Sequence, residues 1–288
     1  MFRFNLPASR RVFLFLCVTA LCLIIGSVIC AIVLHGGMTP ARVRLATIIQ
    51  DVVIFIMPAI ATAVLVTRLP ADFLCLRGGI SLKTILLVTA TVIAAIPAMN
   101  MIIRWNESIE LPQSLGMLED IMKSQEENAR AMIQALMGEP TVASLIVMFL
   151  VVGLLAGFSE ELFFRGTLQR IISTAGINVH VAIWSAAAIF SIIHFQAYGF
   201  MPRLLLGAYF GYLVAWTGSL FPAIWAHVLN NVIAIGSLWS EARGSAYLES
   251  VPGFDEAYTG YVPAIISAVC VAFLLLLTMR SFKPVRLG

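Results

Sequence analysis

Residues 141–165 read TVASLIVMFLVVGLLAGFSEELFFR, and this stretch decides the fold. Its first part, residues 141–157, is almost entirely apolar, and Glu160, Glu161 and Arg165 follow closely. Apolar residues suit the hydrocarbon of a bilayer, but a single charge at the centre of a membrane helix costs about 3 kcal/mol. Three ionisable groups in this position therefore predict a membrane helix that carries a functional site.

The composition of the whole chain is typical of a membrane protein. Of its 288 residues, 60% are hydrophobic and only 11% are charged, and the mean hydropathy is +0.97. Soluble domains have about 25% charged residues. The net charge of +3 is small and is not gathered into a basic stripe, which argues against nucleic acid as a partner. We therefore predict a single membrane domain over residues 1–288, surrounded by membrane lipids.

Repeated apolar stretches of about 20 residues predict an all-α polytopic fold with about eight transmembrane helices. The sixth stretch is short and contains Gly207 and Gly211. Their spacing either permits close helix contact or reflects how common glycine is in membrane helices. The predicted spans are residues 12–34, 45–66, 84–103, 141–158, 179–195, 204–216, 222–238 and 260–279.

The charges of the loops predict an orientation. Cytoplasmic loops of membrane proteins carry an excess of lysine and arginine. Such residues cluster in both terminal tails and in alternate loops, at Arg3, Arg10, Arg11, Arg68, Arg77, Lys83, Arg165, Arg170, Arg280, Lys283 and Arg286. The opposite loops, residues 104–139 and 239–258, are mainly acidic. Both termini are therefore predicted to be cytoplasmic, in a multi-pass protein of the bacterial inner (plasma) membrane.

A segment of a different kind lies between the third and fourth spans. Residues 114–138 place apolar side chains among charged ones, and they belong to one of the acidic loops. This pattern is typical of an amphipathic extracytoplasmic helix, lying on the membrane surface or capping the bundle. A solvated helical loop is the alternative interpretation.

Helix geometry separates the roles of the two adjacent glutamates. Glu161 and Arg165 are four residues apart and share one face of a helix, in the order that favours an ion pair. Glu160 lies roughly 140° around the helix from Arg165. Arg165 is therefore expected to neutralise Glu161 and to leave Glu160 free to act as a general base.

Two of the four histidines lie in further apolar stretches. His194 follows Phe190 by four residues, and Asn231 follows His227 by four, so each pair presents one helix face to the bundle. An imidazole can orient water or transfer a proton, and an amide can stabilise negative charge on a carbonyl oxygen. Together with the glutamates, these groups predict activation of water for attack on a carbonyl group.

The three motifs together resemble those of a known family. They are EExxxR at residues 160–165, FxxxH at 190–194 and HxxxN at 227–231. In this combination they are similar to the motifs of the CAAX-protease and bacteriocin-processing (CPBP) family of intramembrane glutamic endopeptidases. The resemblance covers residues 141–239, the predicted catalytic core. It implies an eight-helix fold whose catalytic cavity opens to the cytoplasm.

The resemblance also implies roles for the individual residues. In this family the first glutamate and the first histidine activate water, which points here to Glu160 and His194. The second histidine and the asparagine form the oxyanion hole, which points to His227 and Asn231. Asn230, on a neighbouring helix face, is an alternative donor. The remaining motif positions are expected to support these four catalytic residues, and they are Glu161, Arg165 and Phe190.

The expected function is an intramembrane endopeptidase that cleaves a membrane-embedded or lipid-anchored peptide without a metal or cofactor. One alternative is a zinc protease that uses Glu160, His194 and His227 as metal ligands. A second alternative has no catalysis, because some members of the family are linked to immunity against bacteriocins or to scaffolding. A transporter is a third, but it lacks the support of an internal repeat.

Overall fold

The structure, a computed structural model, describes residues 6–244 and 260–282. Within these ranges the chain forms ten helices and no strand, which confirms the predicted all-α fold. Their bounds are α1 (Ala8–Leu34), α2 (Pro40–Val66), α3 (Pro70–Phe73), α4 (Leu82–Glu107), α5 (Gly116–Met137), α6 (Val142–Ser173), α7 (Val179–Ile192), α8 (Phe200–Thr217), α9 (Phe221–Ala242) and α10 (Tyr261–Ser281).

Each of the eight predicted spans corresponds to one of these helices. In the described part of the chain, six helices are long and apolar enough to cross a membrane, namely α1, α2, α4, α6, α9 and α10. The other two are shorter, with 14 residues in α7 and 18 in α8. At 1.5 Å per residue, α7 is about 21 Å long, less than the roughly 30 Å thickness of the hydrocarbon core.

Two boundaries differ from the sequence prediction in ways that affect the site. The fourth span was expected to end at Phe158, but α6 continues to Ser173. It can do so because the side chains that follow Glu160 are buried in protein, including Phe164 and Arg165. The fifth span was expected to reach Phe195, but α7 ends at Ile192 and a turn follows it.

The connections lie at two ends of the bundle. At one end Arg11 donates to the Thr174 hydroxyl at 3.0 Å, and the Ser219 hydroxyl donates to the Gly78 carbonyl at 3.0 Å. This end gathers the loops that the charge pattern assigned to the cytoplasm. Which end faces the cytoplasm stays a prediction. Part of the charge pattern lies outside the described residues, namely Arg3, Lys283, Arg286 and most of loop 239–258.

The predicted amphipathic segment forms α5 at the opposite end of the bundle. Arg44 of α2 donates to the carbonyl of Met137 at 2.7 Å. Glu126 accepts a hydrogen bond from Gln196 at 3.2 Å, in the turn between α7 and α8. Helix α5 thus contacts the turn that joins the short helices α7 and α8, whereas its extracytoplasmic position stays a prediction.

Two glycines allow α8 to approach its neighbours closely. A Cβ atom on Gly207 would lie 3.0 Å from Nη2 of Arg165 and 3.2 Å from the side chain of Ala187. A Cβ atom on Gly211 would lie 2.9 Å from the side chain of Ile183. The close-contact interpretation of this glycine pair is therefore correct, and the contact brings α8 against the charged part of α6.

Candidate active site

The centre of the site is a fully buried ion pair within α6. Nη1 of Arg165 lies 2.6 Å from Oε1 of Glu161, and both side chains are 0% exposed. The pair predicted from the four-residue spacing is therefore present. Nη2 of the same guanidinium donates to the Gly207 carbonyl of α8 at 2.9 Å. A second hydrogen bond matters because a buried charge is tolerated only when it is paired and hydrogen-bonded.

Aromatic rings enclose the guanidinium of Arg165. Its central carbon lies 4.8 Å from the ring centroid of Phe190 and 5.4 Å from that of Phe210. The faces of aromatic rings attract cations, most strongly where water is excluded. Phe190 also contacts His194 and His227 edge-on, at centroid distances of 4.9 and 5.9 Å. Phe190 thus contacts the cation and both imidazoles, and its supporting role stays a prediction.

His227 of α9 connects the two glutamates. Its Nδ1 lies 2.8 Å from Oε1 of Glu161, and its ring stacks on Phe210 with centroids 5.1 Å apart. A carboxylate paired with arginine accepts hydrogen bonds, so this contact places the proton of the ring on Nδ1. Nε2 of the ring then faces the other carboxylate, at 3.7 Å from Oε2 of Glu160.

His194 lies on the turn that follows α7. Its Nδ1 is 2.7 Å from the Phe190 carbonyl, which can only accept a hydrogen bond, so this proton also belongs on Nδ1. The next residue, Phe195, has a φ of 53°, a left-handed conformation that ends the helix. His194 interacts electrostatically with both Glu160 and His227. Both predicted imidazoles also contact the ring of Phe190, so they lie in the same part of the bundle.

Glu160 differs from its neighbour in both exposure and pairing. Its side chain is 16% exposed, whereas that of Glu161 is 0% exposed. Arg165 bonds to Glu161, as the helix geometry predicted, and the close neighbour of Glu160 is the Nε2 atom of His227. Of the two glutamates, Glu160 is thus the one whose carboxylate can reach a small molecule in the bundle.

Asn231 lies one turn beyond His227 on α9. One N–H of its side-chain amide donates to the Val152 carbonyl of α6 at 2.9 Å. An amide nitrogen carries two donors, so this bond fixes the orientation of the group and leaves its second N–H available.

Sequence reasoning missed one acidic residue of this region. Asp51 of α2 is only 1% exposed, and its Oδ1 accepts a hydrogen bond from Ser159 at 3.1 Å. It interacts electrostatically with Glu160 and His227. A carboxylate inside a predicted span is itself a signal of function, and Asp51 is the single acidic residue within span 45–66. The motif spacing could not reveal it, because Asp51 belongs to a distant helix.

The described residues were also searched for metal ligands. Across residues 6–244 and 260–282, no three side chains of histidine, cysteine, aspartate or glutamate converge as a metal site would require. The zinc interpretation therefore gains no support from geometry, although it stays open to experiment.

Fold and site together define a polytopic membrane protein in which acids and imidazoles from several helices meet inside the bundle. Residues 142–233 match the family model for the type II CAAX prenyl endopeptidase Rce1-like proteins. This segment contains all three motifs. The match covers about a third of the chain, and over this segment the resemblance to CAAX-processing proteases is confirmed.

Two curated proteins are each similar to about a third of the chain. The uncharacterized protein YpbD of Bacillus subtilis (strain 168) is 31% identical over 103 residues, which cover 34% of this chain and 50% of YpbD. CAAX prenyl protease 2 of Arabidopsis thaliana is 25% identical over 124 residues, which cover 35% of this chain and 40% of that protein. The chain thus spans half or less of the length of these relatives. No solved structure matches the chain.

Proposed function

We propose that this protein is an intramembrane endopeptidase in which Glu160 activates the attacking water. The observation that carries the proposal is the asymmetry of the glutamate pair. Glu161 is fully buried and bonded to Arg165, whereas the partly exposed Glu160 faces Nε2 of His227 at 3.7 Å. A general base needs a carboxylate that can reach its substrate proton, and only Glu160 of this pair meets that requirement.

His194 is suited to hold the water against Glu160. Because its Nδ1 proton is committed to the Phe190 carbonyl, the neutral ring has a lone pair on Nε2. A water molecule can donate one hydrogen to this nitrogen and the other to Glu160. The electrostatic interaction between His194 and Glu160 supports their facing the same small volume.

His227 and Asn231 are suited to stabilise the oxyanion. The second N–H of Asn231 is available for this, because the first is held by Val152. His227 can donate from Nε2 only when the ring carries a second proton, since Nδ1 already donates to Glu161.

The reaction follows from these positions. Glu160 takes a proton from water while the water oxygen forms a bond to the carbonyl carbon of the peptide. Negative charge moves to the carbonyl oxygen, where His227 and Asn231 donate hydrogen bonds. The carbon–nitrogen bond then breaks as the proton held by Glu160 passes, directly or through His194, to the leaving amine. No metal or cofactor is required for these steps.

The substrate class follows from the surroundings of the site. The site lies among helices long and apolar enough to span a membrane, and the Arabidopsis relative is named as a prenyl protease. We therefore propose a membrane-embedded or lipid-anchored peptide that enters between helices, in a protein of the bacterial inner membrane with cytoplasmic termini. The alternative is a non-catalytic membrane protein of immunity or scaffolding, and the same experiment distinguishes it from a protease.

The test compares the membrane proteomes of cells that carry the wild-type protein and Glu160→Gln. Glutamine keeps the size of the side chain but cannot take a proton, so an uncut peptide should accumulate in the variant. The matched control is His180→Ala, because His180 is exposed and bonds to the Tyr212 hydroxyl at 2.9 Å rather than to the site. Equal proteomes and full cellular function in Glu160→Gln would favour the non-catalytic alternative.

A further inference from the structure

Asp51 adds a third carboxyl group to the site from a helix outside the segment that matches the family model. Its side chain is held by the Ser159 hydroxyl, which donates to Oδ1 at 3.1 Å. Ser159 is itself 0% exposed and directly precedes Glu160 in α6. Oδ2 of Asp51 is buried and has no hydrogen-bond partner among the described residues.

The charges around Asp51 are unbalanced. In the described part of the chain, the guanidinium of Arg165 pairs with Glu161, and His227 is the other basic group in the ion pairs of the site. None of these pairs includes Asp51. Oδ1 of Asp51 is nevertheless bonded to Ser159, the residue that directly precedes Glu160, and Glu160 acts electrostatically on Asp51. Two ionised carboxylates would thus be neighbours in a medium of low dielectric constant.

The helices packed against Asp51 supply few other titratable groups. Helix α6 presents Glu160, and α9 presents His227. Helix α1 also packs against this part of α2 and has no acidic or basic residue between Arg11 and His35, its thiols being Cys17, Cys22 and Cys30. Burial has the largest effect on the ionisation of Asp51, and the carboxylate of Glu160 has the largest effect among the neighbouring charged groups.

We infer that Asp51 is a positioning residue that shares one proton with Glu160, so that the pair carries a single negative charge. Like charges at short range disfavour double ionisation, as in enzymes that use two neighbouring carboxyl groups. Asp51 is 1% exposed and Glu160 more exposed, so the proton resides on Asp51 and the charge on Glu160. The neutral Asp51 holds Ser159, and through it the backbone that precedes the base.

This inference deepens the proposed function and rests on it only for the role of Glu160 as base. The proton itself can be observed without any cleavage. A protonated carboxyl group gives a carbonyl stretching band in the infrared that is separate from the bands of carboxylates. The experiment therefore records infrared spectra of the full chain in lipid nanodiscs, near neutral pH.

The wild-type protein should show a protonated carboxyl band that is lost in Asp51→Asn. The matched control is Asp72→Asn, because Asp72 pairs with Arg77 at 3.0 Å at the surface and should leave the band unchanged. Ser159→Ala is a smaller change, and its spectrum can be measured even if Asp51→Asn does not fold. It removes the hydrogen bond to Oδ1 and should shift the band to higher frequency.

Glu160→Gln tests whether Asp51 and Glu160 share one proton. Without the neighbouring charge, Asp51 no longer needs to retain the proton, so the band should weaken at the same pH. A band that persists in Asp51→Asn, or one that is unchanged in Glu160→Gln, would overturn the inference. Failure of the proposed protease activity would appear instead in the proteome comparison, and it would leave these spectra unaffected.

Discussion

Nε2 of His227 lies 3.7 Å from Oε2 of Glu160, while Nδ1 of the same ring lies 2.8 Å from Oε1 of Glu161. One imidazole thus bridges a carboxylate that is neutralised by arginine and one that is not. The pairing gives the two glutamates different chemical roles although they are adjacent in the sequence.

Glu161→Gln should destabilise the protein strongly. The change leaves the buried guanidinium of Arg165 without its counter-charge, and breaking a buried pair in this way costs about 3–5 kcal/mol. Thermal unfolding in detergent, followed by circular dichroism, should show a large fall in Tm. The control is Glu119→Gln, which removes a similar i,i+4 pair with Lys123 (2.7 Å) on exposed α5 and should change Tm little. Equal shifts in the two variants would contradict the buried-pair argument.

Asn231→Ala should reduce kcat for peptide cleavage without a comparable rise in KM. Loss of one oxyanion-hole donor lowers kcat by about 10²–10³-fold in other enzymes. Asn230→Ala is the control, because Asn230 lies on a neighbouring face of α9 and should retain cleavage. The measurement uses the peptide that accumulates in Glu160→Gln cells. Greater loss in Asn230→Ala than in Asn231→Ala would reverse the assignment of the donor.

Chelators should leave peptide cleavage intact. In the described residues no three side chains of histidine, cysteine, aspartate or glutamate converge as a metal site would require. Activity is measured before and after treatment with EDTA and 1,10-phenanthroline, and bound metal is determined by mass spectrometry. Stoichiometric zinc together with loss of activity would establish the zinc interpretation instead.

Single cysteines should report the predicted orientation. In a background without the five native cysteines, Glu127→Cys on α5 should react with a membrane-impermeant maleimide from the side predicted to be extracytoplasmic. Lys83→Cys lies at the start of α4, next to a basic loop near the opposite end, and should react only after permeabilisation, since basic loops face the cytoplasm. Both side chains are exposed, so accessibility within the protein does not limit the reaction. The opposite labelling pattern would show that the predicted orientation in the membrane is wrong.

The sequence alone determined the membrane class, the helices of all eight predicted spans and the Glu161–Arg165 pair. These depend on composition and on local helix spacing, which are properties of short segments. The lengths of α6 and α7 were predicted less well. Helix ends inside a bundle depend on burial, and the turn at His194 follows from contacts that hydropathy does not encode.

Only the tertiary structure decided which groups meet across helices. Nδ1 of His227 bonds to Glu161, and the Gly207 carbonyl accepts a hydrogen bond from Arg165. Asp51 approaches Glu160 through its bond to Ser159, from a helix more than a hundred residues earlier in the chain. Such contacts depend on helix rotation and packing, which are set by small residues at helix crossings and by charges that must be neutralised together. The sequence therefore specifies the chemical groups, and packing decides how protons are distributed among them.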